Sequence, residues 1–207
     1  MERSEALVLT VGANGAEVEG QLAGGELDCP CCGGLLAGWG WARGRVLRGP
    51  DGPVRLRPRR ARCGGCGVTH VLLPVFALAR RVDLAEVIGA ALAAKAAGAG
   101  ARSIAAAWER PVDTVRGWLR RFGSRAGLVR AFFIRLLVET GVDPVPPAQA
   151  GSVFADAVAA IAGALVAGVS RWPGIGAVPV WWLACAASGG RLLAPGWPEK
   201  LINTSSP

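Results

Sequence analysis

Four of the six cysteines stand in two C-x-x-C pairs, CPCCGG at Cys29–Gly34 and RCGGCGVTH at Arg62–His70, each pair followed by glycine. Cys29, Cys32, Cys63 and Cys66 therefore offer four soft thiolate donors on two tight turns. A tetrahedral zinc ion takes such a set at about 2.3 Å. The glycines, Gly33 and Gly67, permit turns whose backbone N–H groups can point at sulfur, and Pro30 stiffens the first turn. Two such knuckles carried on strands make a zinc ribbon, in which roughly 10–16 kcal/mol of metal binding can hold a module too small for a proper core. Cys31 is an extra thiol outside the simplest ligand scheme, and Cys185, alone in an apolar stretch, reads as core. His70, the only histidine, reads as a packing or hydrogen-bonding residue, with ligation as a fallback that a four-cysteine cage does not need.

The surroundings bear on what the cage serves. Iron in the same thiolates, as in rubredoxin-like electron carriers, stays open on ligand type alone. Eight arginines between Arg43 and Arg62 face one acid, Asp51, which suits phosphate better than electron transfer. The net charge of +8 points the same way. The alanine and glycine content suggests a GC-rich genome, which by itself inflates arginine, so clustering is the informative part. MERSEALVLTVGANG has no basic region followed by a long apolar run, so no secretory signal is expected and the expected location is cytoplasmic, associated with the nucleoid. In a reducing compartment paired cysteines are metal ligands or redox groups more often than disulfides, and neither glycine-rich turn resembles the helix start of a redox pair.

Periodicity and punctuation give the elements that carry these residues. Residues 6–11, ALVLTV, read as a strand, and Asn14 with Glu17 offers reciprocal capping of a short helix ended by Gly24 and Gly25. Between the knuckles, LLAGWGWARGRVLR and PVRLRPRRAR alternate around GPDGP as a hairpin. Asp83 and Glu86 cap a helix that Gly98 and Gly100 end, and the next two helical stretches open on Ser103 and Ser124 as candidate caps. Residues 142–150, VDPVPPAQA, form a linker by their prolines. Val153–Val169 is long and apolar, but it is rich in alanine and glycine and contains Asp156, so a buried helix is expected rather than a membrane span.

Within RSIAAAWERPVDTVRGWLRR, Ile104, Ala105, Trp108, Val115 and Trp118 have the spacing for two short helices that cross and share a small core, a helix-turn-helix. Pro111 suits the start of the second helix and Asp113 its dipole. Val112, Asp113, Arg116, Gly117, Arg120 and Arg121 are the expected exposed face, directed at a major groove. The turn carries Glu109 where glycine is usual. From Arg102 to Arg135 eight arginines face two acids, Glu109 and Asp113, a footprint for nucleic acid.

The pieces CPCCGG, RPRRARCGGCGVTHVLLP, RRVDLAEVIGAALAAKAAG and SIAAAWERPVDTVRGWLRRF, in that order, resemble a bacterial family of zinc-ribbon plus helix-turn-helix proteins of unknown function. That family is similar to the N-terminal DNA-binding region of insertion-sequence transposases. The resemblance covers about the first three fifths of the chain and implies DNA binding and an origin in mobile elements. It brings no activity with it.

The expected fold is mainly α with a small β zinc ribbon: a ribbon at 1–80, a helix-turn-helix DNA-binding domain at 81–141 and an apolar helical segment at 151–207. The expected function is a DNA-binding protein with structural Zn2+, transposase-like or transcription-factor-like. It is not expected to be an enzyme, because the chain beyond Phe122 lacks the strands and acids of a carboxylate triad holding two metals. Metal would sit on Cys29, Cys32, Cys63 and Cys66, and double-stranded DNA on Arg55, Arg57, Arg59, Arg60, Asp113, Arg116, Arg120 and Arg121. The C-terminal segment would serve a homodimer or a recombinase partner, with neither membrane nor small-molecule substrate. The competing classes are a metal-thiolate redox or electron-transfer protein, in which Cys31 could be reactive, and a nonspecific interaction module left from a mobile element.

Overall fold

The computed structural model describes residues 7–141, 143–172 and 178–198. Ala6, first in the predicted strand, and Val142, first in the predicted linker, lie outside the described residues. The described elements are β1 (Leu7–Val11), α1 (Gly15–Gly24), β2 (Leu36–Trp41), β3 (Arg45–Arg48), β4 (Pro53–Leu56), β5 (Arg59–Cys63), β6 (Thr69–Pro74), α2 (Ala85–Ala96), α3 (Ala101–Ala107), α4 (Val112–Gly123), α5 (Ala126–Thr140), α6 (Val153–Arg171) and α7 (Val180–Ala187). The chain divides into two compact units, residues 1–86 with 185–191 and residues 87–184 with 192–207.

In the first unit a four-stranded sheet runs β1-β6-β5-β2, and β3-β4 form a separate pair. The predicted hairpin is present, in two pieces. β2 and β5 pair until a register shift between Gly38 and Trp41, after which the chain continues into the β3–β4 ribbon closed at Gly49–Gly52. The sheet exceeds a minimal ribbon because β1 joins β6 in parallel, Leu9 opposite Leu72. Asn14 caps α1 through the backbone N–H of Ala16, while its side-chain amide donates to Glu17. This places Val18 and Leu22 in a core with Val11, Leu36, Ala61, Leu72, Cys29 and Cys63. Two of the four cage cysteines are thus core residues, so the site and the core of this unit are continuous.

The helices predicted after residue 84 form, but not all their caps do. The caps that do not form are those of Ser103 and Ser124; Asp83, two residues before α2, is buried and accepts from Arg48 at 2.7 Å. α3 begins at Ala101 with Gly100 as its cap, which leaves Ser103 inside the helix. The Ser124 hydroxyl donates back to the Arg121 carbonyl, and α5 starts at Ala126 with Arg125 at its cap position and no side-chain cap. Ser103 lies three residues past the cap position of α3 and Ser124 one residue before that of α5, so neither hydroxyl stands at the N-terminal cap. Ser152 does cap α6, accepting from Ala155 at 3.1 Å. α6 is long and apolar enough to cross a membrane by length and composition alone. It packs on α5, burying Ala157, Ala160, Ile161 and Ala164, while Val153 and Val166 stay exposed. Cys185 on α7 is buried, as expected, and burial pushes its thiol up to about 12.

Candidate metal centre and basic surfaces

The two knuckles are local copies of one another. Cys29 N–H donates to the Gly34 carbonyl and Cys63 N–H to that of Val68; Gly33 N–H returns to the Cys29 carbonyl and Gly67 N–H to that of Cys63. Both return bonds need a left-handed residue, and Gly33 and Gly67 have φ of 70° and 72°, where a side chain would be strained. In the second knuckle the N–H groups of Gly65 and Cys66 point at the Cys63 sulfur, at 3.3 and 3.4 Å. In the first, the N–H of Cys32 goes to the Cys29 carbonyl instead.

β2 and β5 then bring the knuckles together. All four sulfurs lie within 4.8 Å of one another, with Cys29–Cys66 at 3.7 Å and Cys32–Cys63 at 3.4 Å. Four 2.3 Å bonds in a tetrahedron would set these separations at about 3.8 Å. The donor set therefore fits a zinc-sized ion in number, chemistry and spacing. Cys29 and Cys63 are buried and Cys32 and Cys66 exposed. Gly34 fits tightly: a Cβ there would lie 3.1 Å from the Cys63 sulfur and 3.4 Å from that of Cys32.

The thiols differ in acidity. The Cys66 backbone N–H, with those of neighbouring groups, pulls Cys63 down to about 6, so it is a thiolate at neutral pH. At Cys66 the Val68 N–H acts in the same direction, but hydrogen bonding with Cys32, burial and the other cysteines outweigh it and raise the thiol to about 12. Only one of these two sulfurs is ready to bind without losing a proton.

His70 is fully buried on β6, and its Nε2 lies 3.3 Å from the Cys29 sulfur. Burial lowers its pKa, which keeps the ring neutral. Nδ1 has no hydrogen-bond partner among the described residues, so a proton is best placed on Nε2, donated to sulfur. The sequence held the signal for this: Leu72 faces the core, and a period of two puts His70 on the same side. Cys31 is exposed and groups with Cys29 and His70, their ligand atoms lying within 4.8 Å of one another.

The predicted DNA-contacting residues fall in two places. Arg55 and Arg57 are exposed near the β3–β4 ribbon, whereas Arg59 and Arg60 are half-buried on β5. Arg59 is held, its Nε 2.7 Å from a Glu19 carboxylate oxygen and its Nη1 donating to the Gly40 carbonyl. On α4, Asp113, Arg116, Arg120 and Arg121 are the predicted contacts: Asp113, Arg116 and Arg121 lie on its accessible side together with Arg120, but Val112 is only partly accessible and Gly117 is buried, which narrows the expected face. Arg116 pairs with Asp113 at 3.0 Å one turn away. Of the five predicted core residues, Ile104, Ala105, Val115 and Trp118 are buried, whereas Trp108 is only partly so. The turn before α4 puts Glu109 at φ 49°, the left-handed conformation that glycine usually supplies.

No family model matches the chain, and no curated protein or solved structure is significantly similar to it.

Proposed function

We propose that the protein binds DNA, with a structural zinc ion on Cys29, Cys32, Cys63 and Cys66 and the α3–α4 pair acting as a helix-turn-helix. The observation that carries this reading is a four-thiol cage of zinc dimensions at the base of an arginine-rich hairpin. Zinc would supply no reaction here. It would fix the knuckles and hence the hairpin that carries Arg55 and Arg57, with Arg60 beside them, against phosphates. Arg59, already paired, would contribute mainly charge. Arg116, Arg120 and Arg121, with Asp113, would face the bases from α4, where the arginines favour contact with guanine or phosphate. The transposase-like resemblance supports a role as a regulator or as an accessory to a recombinase. The exposed part of α6, around Val153 and Val166, would serve a second copy or such a partner. No catalytic residue and no small-molecule substrate are assigned.

Selection of the zinc-loaded protein against a random duplex pool at physiological salt tests this reading. Enrichment of a motif of several base pairs is the expected result. Absence of enrichment, with binding lost as salt rises, would leave a nonspecific basic module.

A second reading, a metal-thiolate redox protein, draws on the grouping of exposed Cys31 with Cys29 and His70. A visible iron–thiolate absorption band in protein purified without added metal would favour it over DNA binding.

A further inference from the structure

Strand β2 is an edge of the four-stranded sheet, and its sequence, LAGWGW, sets two large indoles in solvent. Trp39 is 54 % exposed and Trp41 50 %. Single exposed apolar residues need no explanation, but each of these rings is also covered on one side by a guanidinium. Arg62 lies 4.9 Å from the Trp39 ring centroid, and Arg59 lies 5.0 Å from that of Trp41. Strand pairing produces the first contact: Arg62 is opposite Ala37, which makes Trp39, two residues on, its diagonal neighbour. Arg62 is also fixed from below, its Nε donating to the Gly67 carbonyl at 3.2 Å.

Trp39 and Arg62 form one wall of an open cleft of about 510 Å³ whose floor is the second knuckle, Gly64–Gly67. Three of those four residues are glycines and the fourth is Cys66, whose sulfur belongs to the cage, so the floor carries little side-chain bulk to block a flat group. Their backbone N–H groups are all engaged: Gly64 with the Leu35 carbonyl, Gly65 and Cys66 with the Cys63 sulfur, Gly67 with the Cys63 carbonyl. The cleft therefore offers an aromatic face and a fixed cation, while its floor has no backbone donor left to hold an anion or to read the edge of a base.

We propose that this cleft takes an unpaired base of a single-stranded nucleic acid, stacked against Trp39, with adjoining phosphates on Arg62 and the hairpin arginines. Bases in a duplex already stack on each other and present only their edges, so an indole face on a strand gains nothing from them. An unpaired base has a free face, and stacking accepts any base. Charge complementarity selects this occupant over a peptide, since eight arginines face one acid from Arg43 to Arg62. The inference rests on the nucleic-acid reading above and extends it: α4 would engage duplex while the ribbon holds a separated strand.

The test uses the zinc-loaded full chain with fluorescently labelled dT12, rU12 and a duplex of random sequence, read by anisotropy at physiological salt. At least one single strand should bind, and its preference for deoxyribose or ribose identifies the source. Trp39→Ala should weaken that binding about tenfold, and Trp39→Phe should restore most of it because a ring remains. Both variants should keep wild-type duplex affinity and one zinc per chain. Unchanged single-strand binding by zinc-replete Trp39→Ala overturns the inference, as does a wild type that binds duplex but neither strand. In the latter case the DNA-binding reading stands, whereas failure on all three probes removes both.

Discussion

The Nε2 atom of His70 lies 3.3 Å from the sulfur of Cys29, with both residues buried. An N–H group donated to a metal-bound thiolate delocalises its charge and fixes its direction, and outer partners of this kind typically carry 10–100-fold in metal affinity. His70→Ala should therefore weaken zinc binding by roughly tenfold while preserving a stoichiometry of one. Competition with a chromophoric chelator measures this. Loss of all metal would instead make His70 a ligand.

Removal of a ligand should be far more severe. Cys63→Ser takes away the buried sulfur that accepts two knuckle N–H groups, so the variant should purify without metal and lose the strand signal of the first unit. Gly34→Ala removes no donor but crowds the Cys63 sulfur, and it should fall between wild type and Cys63→Ser. Zinc content by elemental analysis orders the three. Retention of one tightly held zinc by Cys63→Ser would refute the assignment of the cage.

The acidity difference within the cage sets its pH dependence. Cys63 is depressed from its ordinary value of 9.0 to about 6. Before metal binds, its thiolate contributes stability that is fully present above about pH 9 and is lost as pH falls through about 6. Cys66, raised to about 12, must release a proton on binding at any lower pH. Zinc affinity should therefore rise with pH throughout, and its slope should steepen by about one proton below pH 6, where Cys63 also has to deprotonate. Titration calorimetry in buffers of different ionisation enthalpy counts the protons released.

Glu109 occupies a left-handed conformation, φ 49°, in the turn between α3 and α4. A side chain there costs about 1–2 kcal/mol, partly offset by the larger unfolded-state freedom of glycine. Glu109→Gly should stabilise the helical unit by about 0.5–1 kcal/mol, visible as a higher midpoint in urea. A destabilised variant would mean that the Glu109 side chain has a structural role beyond filling the turn.

The features legible in the sequence are those that local chemistry decides. C-x-x-C-G dictates a knuckle because one glycine at positive φ closes it, and Asn14 caps because a free N–H group lies within its reach. The features that escape it are those that partners distant in sequence decide. β1 joins β6 across some sixty residues of chain. Arg59 reads in sequence as a free phosphate contact, but a β2 glycine leaves room for its guanidinium: a Cβ at Gly38 would collide with it, and Glu19 and Gly40 then hold it. Ser103 and Ser124 look like caps and are not, because α3 starts two residues before the first and α4 ends just before the second, which hydroxyl chemistry alone does not reveal.

The placement of the arginines predicts a division of labour on DNA. Arg116 is exposed on α4, and its pairing with Asp113 is a surface contact worth little in water, so the guanidinium is free to exchange its carboxylate for a base. Arg55 is exposed on β4, opposite Val46 in the β3–β4 ribbon, where it can meet a phosphate but has no helix to carry it into a groove. Arg116→Ala should relax preference at a single position of the selected motif, with a loss of discrimination of about 1–3 kcal/mol. Arg55→Ala should weaken every sequence alike and lower the slope of log affinity against log salt by about one. Affinity profiles of both variants across single-substitution libraries, at two salt concentrations, separate these effects. Identical profiles would mean that the helix and the hairpin both hold only the backbone, and the motif would then have to arise from the shape of the duplex.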